Sequence, residues 1–314
     1  MKNNLRAIIT ALFGIAVFLF WLLGYPEALN YQEQNQLWLT TGDFFLQRMA
    51  VPGGMADYVS EFLVQFYYVP WLGALLIGVV YAAMQWLMWM TVRRWDKTAF
   101  PITFLLPLLM LWHQGDIDTL LSLPVAIVMA LGATVAMSKY GRHGYLLDIV
   151  SVPVIYWAAG PAAVIYVAIR GLQYGWKLFI EDTVLFAISI MAAYWVVDYQ
   201  WPLNMMVGGI NYYRIPLMAP VMQYVVLLSP IVIALAARFY PWKNEDTFSS
   251  TRRYLHLALK VSTLAIVGIF AINKGFDPFV YEILWQDSMV RQERWHDIIK
   301  RAERHQADIA MSSN

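Results

Sequence analysis

The stretch Ile149–Ile169 reads IVSVPVIYWAAGPAAVIYVAI. A helix rises about 1.5 Å per residue, so this run could cross a hydrocarbon core of about 30 Å once. Pro153 and the pair Gly160-Pro161 interrupt it, and proline inside a helix deletes a hydrogen bond and crowds the preceding turn. The segment is therefore either one broken crossing or a re-entrant pair of short helices. A single crossing would put Arg170 and Lys177 outside, together with Lys243, Arg252 and Arg253. A folded pair returns both basic groups to the inside. Basic residues concentrate in cytoplasmic loops, and broken helices are tolerated where protein shields them or water reaches them. The charges favour the folded pair.

The rest of the chain supports a polytopic membrane setting. Of 314 residues, 60% are hydrophobic and 14% charged, with mean hydropathy +0.51. Soluble domains carry about 25% charged residues. Net charge is +1, which gives no bulk attraction to nucleic acid, and none is expected as a partner. The absence of cysteine removes disulfides, thiolate nucleophiles and cysteine metal sites. The 14 Trp and 19 Tyr suit headgroup-level surface.

Apolar runs predict an all-α bundle of about seven full spans plus the broken pair. Ala7–Leu23 follows Lys2 and Arg6 and reads as an uncleaved signal-anchor, amino end in the cytoplasm. Trp71–Met90 ends at Arg93, Arg94 and Lys97. Phe100–Trp112, with Pro101 and Pro107, is short for a span and needs its flanks or a thinned bilayer. Thr119–Met137 returns toward Lys139, Arg142 and His143. Leu178–Val197, Val221–Tyr240 and Leu257–Ile272 complete the set, with the mixed-charge loop PWKNEDTFSSTRR on the inside.

Residues 24–69 form an acidic outer loop holding Glu27, Glu33, Asp43, Asp57 and Glu61 against Arg48. Leu37, Leu39 and Phe44–Leu46 make one apolar stripe. Met55, Tyr58, Val59, Phe62 and Phe66 make another, predicting two interfacial helices with their apolar sides toward lipid. Residues 1–272 are thus a transmembrane domain. Residues 273–314 read as a helical hairpin tail, with Asp277 as N-cap, Pro278 at the first helical position, and Tyr281, Trp285 and Met289 on one face. Such a pair cannot bury its own apolar face. It packs on the membrane domain, meets a partner, or continues into further helices.

Two resemblances attach to these residues. NYQEQNQLWLTTGDFFLQRMAVPGG and ADYVSEFLVQFYYVPWLGALL resemble the first outer loop of GT-C glycosyltransferases, membrane enzymes that move sugars from polyprenyl-phosphate carriers. Glu33 in YQEQ stands where such enzymes carry an acidic residue, and Asp116-Ile117-Asp118 resembles the acidic motif of a later outer loop. Position 32 is Gln rather than Asp, and no Lys-Pro-Pro precedes the second span. The wider pattern, from YPEALNYQEQNQL to RWHDIIKRAERHQ, resembles an uncharacterised family of Bacteroidetes multi-spanning proteins. Members continue into tetratricopeptide-like repeats, which implies an inner-membrane protein with a periplasmic carboxyl-terminal extension, this chain stopping within the first repeat.

The candidate chemistry gathers on the predicted outer face. In sugar transfer a carboxylate takes the acceptor's proton, the role open to Glu33 and Asp43. Asp116 and Asp118 could ligate a divalent Mg or Mn, while Arg214 in GGINYYRIP and His113 could hold a phosphate. The plainer readings are a solvated turn for HQGDID, a helix cap for Asp43 and a snorkelling cation for Arg214. Glu181 and Asp182 sit near a membrane core, where acids are costly and often functional. The leading expectation is a GT-C-like transferase using a polyprenyl-phosphate-linked donor. A scaffold whose tail recruits an envelope protein, or a transporter, are the alternatives. No P-loop, dinucleotide fingerprint, HExxH or GxSxG motif occurs.

Overall fold

A computed structural model describes residues 2–140, 145–197, 200–239 and 250–312. Arg142, His143 and most of the loop PWKNEDTFSSTRR lie outside the described residues, as do the side chains of Arg252 and Arg253. The described chain is helical throughout: α1 (Lys2–Gly24), α2 (Pro26–Gln34), α3 (Gly42–Met49), α4 (Gly54–Val64), α5 (Pro70–Val92), α6 (Leu105–Gln114), α7 (Ser122–Met137), α8 (Tyr145–Ala159), α9 (Ala163–Tyr174), α10 (Trp176–Val196), α11 (Leu203–Gly208), α12 (Val221–Phe239), α13 (Ser250–Gly275), α14 (Pro278–Arg291) and α15 (Trp295–Ser312). Seven stretches are long and apolar enough to cross a membrane: Asn4–Gly24, Pro70–Val92, Ser122–Tyr140, Leu147–Tyr174, Trp176–Val196, Val221–Phe239 and Leu257–Gly275.

Leu147–Tyr174 is not one straight crossing. Asp148 pairs with Arg170, 22 positions later, and a straight helix would hold them about 33 Å apart. Ser151 and Asp148 both meet the Tyr166 hydroxyl. α8 and α9 therefore run antiparallel, and the chain reverses through the 3-10 turn Gly160–Ala162. Gly160 has φ +63, left-handed backbone that glycine adopts without a Cβ penalty. Proline follows it, fixing the turn. The folded pair expected from the charges is what forms.

The short segment Phe100–Trp112 runs the length of the bundle with its flanks: Arg6 lies over Phe100 at one end, and Tyr281 donates to the Gly115 carbonyl at the other. Pro101–Phe104 is a 3-10 turn, and α6 has 10 residues, about 15 Å of helix. It is not among the seven long stretches. Instead α6 is held inside the bundle against α5, α12 and α13.

Two faces follow. On one, the loop face, the ends of α1 and α13 meet: Tyr25 stacks on Phe276 at 4.7 Å. The hairpin apex reaches this face, where the Gly53 amide donates to the Trp157 carbonyl at 2.8 Å. The opposite face is basic. Arg6 covers Trp89 at 4.5 Å and donates to the Lys97 carbonyl. Arg94 lies over Tyr174 and Arg238 over Trp95, and the Tyr174 hydroxyl donates to the Ser138 carbonyl. Both ends of the hairpin thus return to the basic face.

α1 and α5 cross closely at Gly14 and Gly78, where a Cβ on Gly78 would lie 2.6 Å from the Gly14 carbonyl oxygen. Small residues at such crossings let membrane helices gain dispersion contacts that lipid cannot supply. A buried relay reinforces this junction: Thr10 donates to Gln85, and Gln85 to Thr103 at 2.8 Å. α10 and α13 show mostly apolar outward surface, including Ile180, Val184 and Ile188, and Val261, Ile266 and Ile269. Lipid tails satisfy such surface and water does not.

The first loop forms three helices rather than two, because Pro26 at the start of α2 opens a helix in the stretch before the expected stripes. Residues of the first stripe divide between a non-helical segment, 37–41, and α3. Of the second stripe, Phe62 and Phe66 are exposed and Met55, Tyr58 and Val59 half-buried, while the inward side of α4 carries Ala56, Asp57, Ser60, Glu61 and Val64.

The tail does not stand apart from the rest. Asp277 caps α14 by accepting from the Phe279 amide at 2.9 Å. Tyr281 donates to the Gly115 carbonyl, and Arg291 donates to Gln34 of α2. α15 is fastened to α14 by Arg301, which pairs with Glu282 at 2.6 Å and covers Trp285.

Candidate functional site

HQGDID follows α6 because Gly115 brings the chain end close to Gly275 of α13, where neither backbone leaves room for a Cβ. Its two carboxylates then meet NYYRI. Tyr213 donates to Asp116 Oδ2 at 2.8 Å, and the Asp118 amide donates to Asp116 Oδ1. Arg214 pairs with Asp118 at 3.1 Å, and its amide donates to the Asp118 carbonyl. Thr119 and Tyr213 form an antiparallel bridge, and Ser122 donates to the Asn211 carbonyl. Burial, then the Asp116 carboxylate, raise the Tyr213 pKa and keep the phenol a donor. HQGDID is thus half of a two-loop clasp, its acids committed to the protein.

The proposed phosphate ligands fare differently from each other. Arg214 is half-exposed and donates to the Tyr31 hydroxyl at 3.0 Å as well as to Asp118, contacts that keep its guanidinium charged. His113 is 1% exposed, stacked beside Tyr213, and its Nε2 has no hydrogen-bond partner. For a metal, the geometry does not fit: no group of three His, Cys, Asp or Glu converges among the described residues. Asp116 and Asp118 are already engaged.

Glu33 lies elsewhere on the same face. It lines a cleft of about 390 Å³ between α2 and α14, together with Glu27, Tyr31, Asp287 and Arg291. A neighbouring cavity of about 610 Å³ shares Glu27 and Leu284 and adds Phe276, Tyr281 and Trp285. His113 and Asp116 line a third, of about 380 Å³, with Lys274 and Asp277. Glu33 and Asp116 therefore border separate cavities, and Arg214 bonds both Tyr31 of the one and Asp118 beside the other. Asp43 is exposed in the first turn of α3 and is not its cap; Thr41 is, accepting from the Phe44 amide at 3.3 Å.

Sequence reasoning missed a charged cluster in the first loop. Arg48 of α3 grips Glu61 of α4 through two bonds of 2.8 and 2.6 Å, with Asp57 at 3.6 Å. Burial pushes the Asp57 carboxyl up to about 7, and Glu61 adds to the rise while Arg48 opposes it. The signal was present: acids four apart sit on one helix face, opposite the apolar stripe.

A second buried cluster lies between α8, α9 and α10. Arg170 is 0% exposed and bonds Asp148, which also accepts from Tyr166. Asp182 of α10 is 1% exposed, and neither carboxylate oxygen has a partner. Glu181 beside it is exposed. Of the acid pair singled out in the sequence, only Asp182 is a core residue.

No curated protein and no solved structure matches the chain. A family of unknown function, DUF6057, matches residues 2–314, so the chain belongs to that family.

Proposed function

We propose that the protein is a GT-C-like membrane transferase acting at its loop face, moving a sugar or similar group from a polyprenyl-phosphate-linked donor. The carrying observation is that Glu27 and Glu33 line the α2–α14 cleft, their carboxylates making no hydrogen bond or ion pair among the described residues. Asp116 and Asp118, in contrast, are committed to a clasp. The resemblance of the first loop to GT-C enzymes supports the same choice. In this reading Glu33 accepts the proton of the acceptor hydroxyl as its oxygen bonds the sugar carbon and the carbon–phosphate oxygen bond breaks. Arg291, in the same cleft, stabilises the departing phosphate. The protein would lie in a bacterial inner membrane, amino end cytoplasmic and tail periplasmic.

The test measures polyprenyl phosphate released from labelled lipid-linked sugars by the purified protein in nanodiscs. Glu33→Gln should lower the rate by about 10²–10⁴-fold, while Asp116→Asn should stay within several-fold. Full activity in Glu33→Gln together with Glu27→Gln would sink the proposal. One observation favours the scaffold reading: Trp295 and Ile299 of α15 are exposed on one side, a face suited to a partner's helix.

A further inference from the structure

We infer that Asp182 is an intramembrane proton-binding site, exchanging with water at the basic face, beside the buried Asp148–Arg170 pair. The cluster holds two carboxylates and one guanidinium, all at 1% exposure or less. Arg170 neutralises Asp148 through Nη2. Asp182 is then the surplus acid, and among the described residues no donor reaches either of its oxygens. A lone buried carboxylate costs far more in a low dielectric than a neutral carboxylic acid. A metal ion would need further oxygen or nitrogen ligands, and no third acid or histidine converges here among the described residues.

The unused bonding capacity is matched on the other side. Arg170 leaves Nε and Nη1 without hydrogen-bond partners, its plane lying over Tyr174 at 4.5 Å. Loss of the proton gives Asp182 a negative charge that the free edge of this guanidinium can meet. Proton release thus shifts Arg170 from one aspartate to sharing between two. Among the described residues, the ionisable groups acting on Asp182 are Asp148 from α8, Arg170 from α9 and Glu181 on α10 itself, with Tyr166 bonded to Asp148 and Tyr174 under Arg170; α11 contributes none. Asp182 sits about 9 Å along α10 from Trp176, at the basic end of the hairpin, which sets a short route to water. Deprotonation is a simple exchange: the carboxyl O–H bond breaks and the proton passes to that water.

Infrared difference spectra of the whole protein in lipid nanodiscs test this between about pH 5 and about pH 9. The expected result is a protonated-carboxyl C=O band that fades at high pH. It should vanish in Asp182→Asn, move in frequency in Asp182→Glu and persist in Glu181→Gln. Arg170→Gln should raise the titration midpoint by at least about one unit, tenfold in proton affinity. If Asp182→Asn does not fold, aspartate labelled with heavy carbon, compared with Asp182→Glu, isolates the same band. Absence of the band throughout would mean an ionised Asp182 held by a cation or water and would overturn the inference. A band unchanged across the range would overturn it as well, as a permanently neutral acid.

Discussion

At the residue scale, the cluster of Arg48, Asp57 and Glu61 shows how a loop of modest size comes to depend on charge. Asp57 keeps its proton in the folded state up to about 7, whereas the unfolded chain loses it near the ordinary aspartate value of 3.8. The folded state binds more protons across that window, so stability falls as pH rises through it, by about 1.4 kcal/mol per unit at most. Burial also raises Glu61, which acts in the same direction. Thermal unfolding in detergent should therefore shift downward from pH 5 to 7 by more in the wild type than in Asp57→Asn; equal shifts would remove Asp57 as the cause. Arg48→Met leaves two buried acids facing one another and should cost roughly 2–3 kcal/mol, the low side for breaking a buried pair because Arg48 is partly exposed. Tyr213→Phe should cost about 1 kcal/mol, a hydrogen bond in a clasp, and leave catalysis intact.

Elements show the same logic at larger separation. The α1–α5 crossing leaves no space at Gly78, so Gly78→Leu should force the helices apart and cost about 1–3 kcal/mol, the range for overpacking. A lowered melting temperature of the purified variant checks this, and Gly132→Leu is the control, since nothing lies near a Cβ there. The hairpin of α8 and α9 depends on a different device. Its apex is pinned by Tyr212, whose hydroxyl accepts from the Ala162 amide at 3.0 Å and donates to the Ala159 carbonyl. These bonds satisfy backbone groups that the helix break releases, which a membrane interior cannot do with water.

For the whole molecule, the folded hairpin fixes the parity of every later helix. Lys177 belongs to the face that carries Arg94 and Arg238, and Asp43 to the opposite one. The chain has no cysteine, so single substitutions report cleanly: an impermeant maleimide should label Lys177→Cys and Asp43→Cys from opposite sides of a sealed membrane. Labelling of both from one side would mean a single crossing. The sequence by itself determined the helical membrane class, the apolar spans and the Asp277 cap, because local hydropathy and capping residues carry that information; the placement of Arg and Lys favoured a folded 149–169, and the Asp148–Arg170 contact decided it. The sequence did not show that Asp116 and Asp118 would be consumed by Tyr213 and Arg214, nearly a hundred positions away. It also could not separate Asp182 from Glu181. Adjacent positions on a helix point about 100° apart, so one neighbour enters the core while the other stays outside. Which acid is free and which is buried depends on what packs across from it, and only the tertiary structure decides that.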